Sequence, residues 1–241
     1  MRSGSFAGLI CLPILLVQGD LAAQVETDVN IATGLDVSDS ISGHEEWLER
    51  VGTARGLASQ TFTKAVLSGR HGRVGVAVFA WSSQGCPLLV GWNVIGTMDD
   101  AARIADRLEA MPLINFNRTH ARRHQDQSVG EDRLTDLSEA IDCGRSLLAD
   151  APFRADRFVL NIVGDGVDNF GKDSDAARDQ AVAAGITVNG VVIGGSPDVV
   201  GHYRDHVIGG DGAFVMGIAD PTTVVDAMTR KFLLDVAFAV R

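Results

Sequence analysis

Short apolar runs alternate with stretches of helical period along this chain, and that alternation limits the fold more than any other feature. Val29 to Leu35, Arg73 to Trp81, Pro87 to Ile95, Arg157 to Val163, Ile186 to Ile193 and Ala213 to Met216 read as strands. Between them lie helical patterns. Ser42 with Glu45 three residues on forms a capping box, followed by an apolar face of Trp47, Val51, Ala54, Ala58, Phe62 and Ala65. Met98 to Ala110 is helical and stops before Pro112, Thr135 to Leu148 is helical, and Ser174 to Ala184 is stopped by Gly185. Asp220 as N-cap and Pro221 behind it start a closing helix with Val225, Met228, Phe232 and Val236 on one face. Such alternation predicts an α/β fold: a doubly wound, mostly parallel six-stranded sheet with helices on both faces. The turn Ser82-Ser83-Gln84-Gly85 is too short for a crossover, so the third strand is predicted as an antiparallel edge strand, where Pro87 is tolerated. Asn115 to Asp132 is the longest irregular, polar stretch.

A chain of 241 residues with 46% apolar and 22% charged residues can bury a core, which excludes disordered and small disulfide-scaffold classes. Its net charge of -10 repels phosphate backbones and anionic lipid, so neither nucleic acid nor a membrane surface is expected as partner. Cations and basic groups suit it better.

The first residues read as an address. Arg2 precedes an apolar run from Phe6 to Val17, then Gln18-Gly19-Asp20 and the small-residue site Leu21-Ala22-Ala23. Residues 1–23 are therefore expected to be a signal peptide and 24–241 a single exported domain, periplasmic or secreted. The run is shorter than the ~18 residues a membrane span needs, and no later segment is long enough. Cleavage would remove Cys11 and leave Cys86 and Cys143. In an oxidising compartment these can pair, which would stabilise the fold by roughly 4 kcal/mol in the chain-entropy model. Two separate buried thiols fit the sequence equally well, because spacing does not show that two sites meet.

In open α/β sheets, ligands sit beyond the carboxyl ends of strands, where the strand order reverses. The first strand ends in Asp36-Val37-Ser38-Asp39-Ser40 and the fourth in Gly164-Asp165-Gly166-Val167-Asp168-Asn169, with Thr135 opening a helix between them in sequence. This set resembles the metal-ion-dependent adhesion site of von Willebrand factor type A domains. Asn161-Ile162-Val163-Gly164-Asp165-Gly166, Ile186-Thr187-Val188-Asn189-Gly190 and Val207-Ile208-Gly209-Gly210-Asp211-Gly212-Ala213-Phe214-Val215 are similar to a bacterial exported family of that superfamily, domain of unknown function 1194. The resemblance runs from about Val25 to the C-terminus. It implies a metal site made of Asp36, Ser38, Ser40, Thr135 and Asp165. The hydroxyls would bind directly, and Asp36 and Asp165 would hold metal-bound waters. A hard divalent cation wants oxygen donors, so Mg²⁺ is expected, with Mn²⁺ or Ca²⁺ favoured if the extra acids Asp39, Asp136 and Asp168 add to the field.

Other motifs are weaker. Gly166 to Lys172 matches GxxxxGK, yet Asp173 stands where the phosphate loop needs Ser or Thr. His120/His124 and His202/His206 have i,i+4 spacing without an HExxH, and read as surface histidines rather than a zinc site. Arg118, Arg122 and Arg123 read as a solvated cluster, and Asn117-Arg118-Thr119 as a sequon without consequence in a bacterial host. No catalytic constellation emerges. The expected function is a binding module that engages a protein or peptide carboxylate through its metal. A metal-dependent hydrolase or phosphatase, or a structural domain with an unused site, are the alternatives.

Overall fold

The computed structural model describes residues 24–115, 132–171 and 173–237. The expected leader lies outside these residues, as do Asn117, Arg118, His120, Arg122, Arg123, His124 and Lys172. The strands are β1 (Glu26–Thr27), β2 (Val29–Asp36), β3 (Val74–Trp81), β4 (Leu88–Ile95), β5 (Arg154–Ala155), β6 (Phe158–Gly164), β7 (Ile186–Ile193) and β8 (Val215–Ile218). The helices are α1 (Gly43–Leu57), α2 (Gln60–Leu67), α3 (Met98–Ala110), α4 (Leu137–Ala149), α5 (Ser174–Ala183), α6 (Pro197–His202) and α7 (Val224–Ala237).

Six strands form one sheet in the order β4-β3-β2-β6-β7-β8. All neighbours run parallel except β4, which pairs antiparallel with β3. This is the doubly wound sheet that the alternation predicts, with its antiparallel edge. β1 and β5 make a separate two-stranded parallel ribbon. Every residue of β2, β3 and β7 is buried, because helices cover both faces of the sheet. One apolar layer packs α1, α2, α3 and α7 against the sheet, and the other packs α4, α5 and the end of α6. Phe62 on α2 and Phe232 on α7 meet in the first layer with ring centroids 5.8 Å apart.

Five local expectations are corrected. The first helix is two helices: Ser59 caps α2 by accepting from Phe62 N at 3.2 Å, although the apolar period runs on across it. Trp47, expected on the buried face, is 44% exposed. Helix α4 starts at Leu137, capped by Asp136 rather than Thr135, since Asp136 Oδ1 accepts from Glu139 N at 2.9 Å. The last strand is Val215–Ile218, shifted toward the C-terminus because its register is set by pairing with β7. The closing helix begins with a 3-10 turn at Pro221–Thr223, and its buried face includes Lys231 and Asp235 beside Met228, Phe232 and Val236.

The sheet's edges are modified. β4 pairs with β3 through register shifts between Val76 and Val78 and between Val78 and Phe79, and β8 is only four residues long. Cys86, just past the β3–β4 turn, is disulfide-bonded to Cys143 on α4, with Cα atoms 6.4 Å apart and a sequence separation of 57. The bond ties the hairpin to the helix that begins beside Thr135.

Candidate metal centre

The strand order reverses between β2 and β6. From β2 the chain moves outward to β3 and β4, whereas β6 begins the opposite half with β7 and β8. The crevice at their carboxyl ends holds Asp36, the last residue of β2, and Asp165, the first after β6.

Each element delivers its side chain for a local reason. After Asp36 the chain turns, and Asp36 Oδ1 accepts from Ser38 N at 2.7 Å, which curls Ser38 and Ser40 toward the same point. Their hydroxyl oxygens lie 3.0 Å apart. Ser40 Oγ donates to Asp165 Oδ1 at 3.0 Å, and Thr135 Oγ1 donates to Ser38 Oγ at 3.4 Å. The structure thus brings together all five residues that the sequence singles out. Because Asp136 caps α4, the Thr135 hydroxyl is left to face Ser38.

Neighbouring residues hold these loops. Asn115 Nδ2 donates to the carbonyls of Ser38 and Ile41 at 3.2 and 2.9 Å. Glu46, buried on α1, accepts from Ile114 N and Asn115 N and pairs with Arg50 at 2.6 Å. Asp39 Oδ2 accepts from Arg133 N at 3.0 Å, and Ser83 Oγ accepts from Leu134 N at 2.9 Å, which clasps the Thr135 segment from two sides. Asp168 and Asn169 accept from Leu137 N and Thr135 N at 2.7 and 2.8 Å. Asp168 and Asn169 of the GxxxxGK stretch are thus engaged at the start of α4. None of these supporting residues has a sequence signature of its own, apart from the i,i+4 charge pair of Glu46 and Arg50.

The crevice concentrates negative charge. Burial pushes Asp36 up to about 7, against the Ser38 hydrogen bonds that favour its charged form. Burial also raises Asp165, whose bond to Ser40 opposes the shift, and raises Asp168. Beneath them Glu49 on α1 is buried, and burial followed by the charge of Asp36 drives its carboxyl well above the ordinary range. Among the described residues, Asp36 Oδ2, both Glu49 oxygens, Trp81 Nε1 and Tyr203 OH find no hydrogen-bond partner. Gly164 lets this set close up: a Cβ there would sit 2.8 Å from Tyr203 OH and 2.9 Å from Asp36 Oδ2. At Gly166 a Cβ would stand 3.6 Å from Thr135 Oγ1, so its absence keeps the crevice open.

The donor set fits a divalent cation. Three hydroxyls and two carboxylates supply hard oxygen donors, and Asp36 keeps one buried oxygen uncommitted. A different group of candidate ligands lies at the opposite ends of the strands. Asp28, His71 and Asp156 place ligand atoms within 4.8 Å of one another. Asp28 already accepts from His71 N and Arg73 N, while His71 Nε2 is 3.2 Å from Asp156 Oδ2. Cys86, Glu139 and Cys143 also cluster, but the sulfurs are joined to each other. The rings of His202 and His206 are tilted by 41° with centroids 4.8 Å apart, and His206 Nδ1 pairs with Asp175 Oδ2 at 2.8 Å.

A family described as "Protein of unknown function (DUF1194)" matches residues 26–240. The chain belongs to the DUF1194 family. Solved structures similar to this DUF1194 chain share its fold. Proximal thread matrix protein 1 from the mussel byssus aligns with a TM-score of 0.57 at 16% identity, over 89% of this chain and 48% of that one. A structure of the same mussel protein described with a zinc-occupied MIDAS motif aligns at 0.55 and 17% identity, over 89% and 49%. The conserved hypothetical protein BatB from Bacteroides thetaiotaomicron aligns at 0.50 and 14% identity, over 87% and 99%. These likenesses establish a von Willebrand factor type A fold. The DUF1194 chain spans about half the length of the mussel protein. No curated protein matches its sequence. Among the described residues, no helix is long and apolar enough to cross a membrane.

Proposed function

We propose that this DUF1194 chain is an exported binding module whose crevice takes a divalent cation and, through it, a carboxylate of a protein or peptide partner. The observation that carries the reading is the convergence of Ser38, Ser40 and Thr135 hydroxyls between Asp36 and Asp165, with Asp36 Oδ2 unpaired. The three hydroxyls would bind the cation directly, and the two carboxylates would hold waters on it. Neutral direct donors leave a cation electrophilic toward an incoming acid. The all-oxygen set favours Mg²⁺, with Mn²⁺ or Ca²⁺ next. Binding without turnover is part of the proposal. The Cys86–Cys143 bond supports an oxidising compartment, periplasmic or secreted.

Calorimetric titration of the purified chain with Mg²⁺ and Mn²⁺ tests the site. Wild type and His71→Ala should bind one ion, and Ser38→Ala combined with Ser40→Ala should not. Equal binding by the double variant would move the ion elsewhere and end the reading. Capture of acidic peptides that survives EDTA, or Mg²⁺-dependent hydrolysis of a phosphatase and peptidase panel lost in Asp36→Ala, would defeat the carboxylate-binding half.

A further inference from the structure

Away from the crevice, the fold buries a lysine completely. Lys231 on α7 and Asp235 one turn later have no exposed side-chain surface. Lys231 Nζ lies 2.6 and 2.7 Å from the two Asp235 oxygens and also hydrogen-bonds Asn161 Oδ1 in the middle of β6. Asn161 Nδ2 in turn donates to Asp235 Oδ2 at 3.0 Å. Asn189 Nδ2 on β7 donates to Asp235 Oδ1 at 3.1 Å and fixes the carboxylate. The rings of Phe214 and Phe232 stand 5.4 and 5.9 Å from the amine. The amine thus touches the amide of Asn161, and one carboxylate touches both the amine and the nitrogen of that amide.

We propose that Lys231 and Asn161 condense into an intramolecular isopeptide bond, with Asp235 carrying protons from the amine to the departing nitrogen. The Lys231 ammonium first gives a proton to Asp235, because dry surroundings favour a neutral pair over two charges. Burial supports this step, bringing the ammonium down from 10.5 to about 8 against the pull of Asp235. The Nζ lone pair then forms a bond to Asn161 Cγ while the carbonyl π pair moves onto Oδ1. Asp235 hands its proton to Nδ2 and takes one from Nζ. The Oδ1 pair re-forms the carbonyl, and the Cγ–Nδ2 bond breaks with its electron pair leaving on ammonia. The products are a secondary amide between α7 and β6, one ammonia and a neutral Asp235 carboxyl. No oxidant, metal or other co-reactant enters. Fixed geometry replaces external activation, as for other desolvated lysine nucleophiles.

Peptide mapping of the reduced, purified chain tests this directly. Trypsin should release a branched species in which the peptide containing Asn161 is joined to the one containing Lys231, lighter than their sum by one ammonia. Fragmentation should locate the bond at those two residues. Intact mass is a secondary readout, because cyclisation of Gln24 after leader cleavage would lose ammonia too. Lys231→Arg and Asp235→Ala should yield unbranched peptides. Recovery of the wild-type Asn161 and Lys231 peptides unlinked would overturn the proposal, whatever the variants do. A bond from Lys231 to Asn189 or Asp235 would overturn the assignment to Asn161.

Discussion

Two polar clusters hang from the same pair of strands and answer the burial of charge in opposite ways. Thr33 and Asn161 belong to the inner one, Asp36 and Asp165 to the crevice beyond the strand ends. The inner cluster supplies its own partner for the buried acid: the Lys231 nitrogen sits against Asp235, and the amides of Asn161 and Asn189 donate to or face the same carboxyl. The crevice gathers only oxygens, and its carboxyls are lifted by burial. A cluster that neutralises itself needs nothing from outside and can serve the fold. One that gathers oxygens around carboxyls lifted by burial suits the external cation of the proposed function.

Replacing Lys231 should have the largest effect on this contrast. Lys231→Met leaves the buried Asp235 carboxyl without the Lys231 nitrogen and removes the link to β6, and should lower unfolding free energy by about 3–5 kcal/mol in urea titrations. Ser38→Ala with Ser40→Ala, measured in chelator, should change it by about 1 kcal/mol or less. Equal losses would erase the distinction between the two clusters. Next in size is the response to metal. Mn²⁺ at about 100-fold over Kd should stabilise wild type by roughly 2.7 kcal/mol, read as a rise in Tm. The double serine variant should show no rise. Asp165→Asn should show a smaller one, since an amide still holds a bound water without balancing the ion's charge. A full rise in the serine variant would place the ion outside the crevice.

The smallest effect concerns His202, which belongs to neither cluster. Burial first, then His206, lowers its affinity for a proton below the ordinary 6.5. Protonation therefore favours the unfolded chain, so this group's contribution to stability falls as pH drops through and below about 6.5. His202→Gln should flatten part of that acid slope in thermal melts while leaving the Mn²⁺ response intact. An altered Mn²⁺ response would tie the histidine pair to the crevice.

The parts of the fold legible in the sequence are those with local punctuation. β7 and α3 fall at the bounds expected because Gly185, with φ of 81°, ends the preceding helix and Pro112 follows the other. The crevice residues were legible because strand ends, turn chemistry and a helix start mark them in order. The break between α1 and α2 was hidden, since the apolar period continues across Ser59 without a glycine or proline. The inner cluster was hidden for a different reason: Lys231 and Asp235 have the i,i+4 spacing of any helical charge pair, and only their packing against β6 and β7 buries them. Glu49 and Tyr203, under the crevice, were invisible likewise, because tertiary packing alone brings them to Asp36. The meeting of Cys86 with Cys143 also depends on how a hairpin leans on α4, which no spacing encodes.

The margins of the sheet bear on how anything can approach the molecule. An extended segment from another chain could in principle join either outer strand and continue the ladder. On one side the irregular pairing of β4 disturbs the row of amides such a guest would need, and on the other β8 offers only four residues to pair with. Main-chain zippering is thereby discouraged at both flanks. Copies of the chain therefore meet margins that are poor templates for extending one another's sheet.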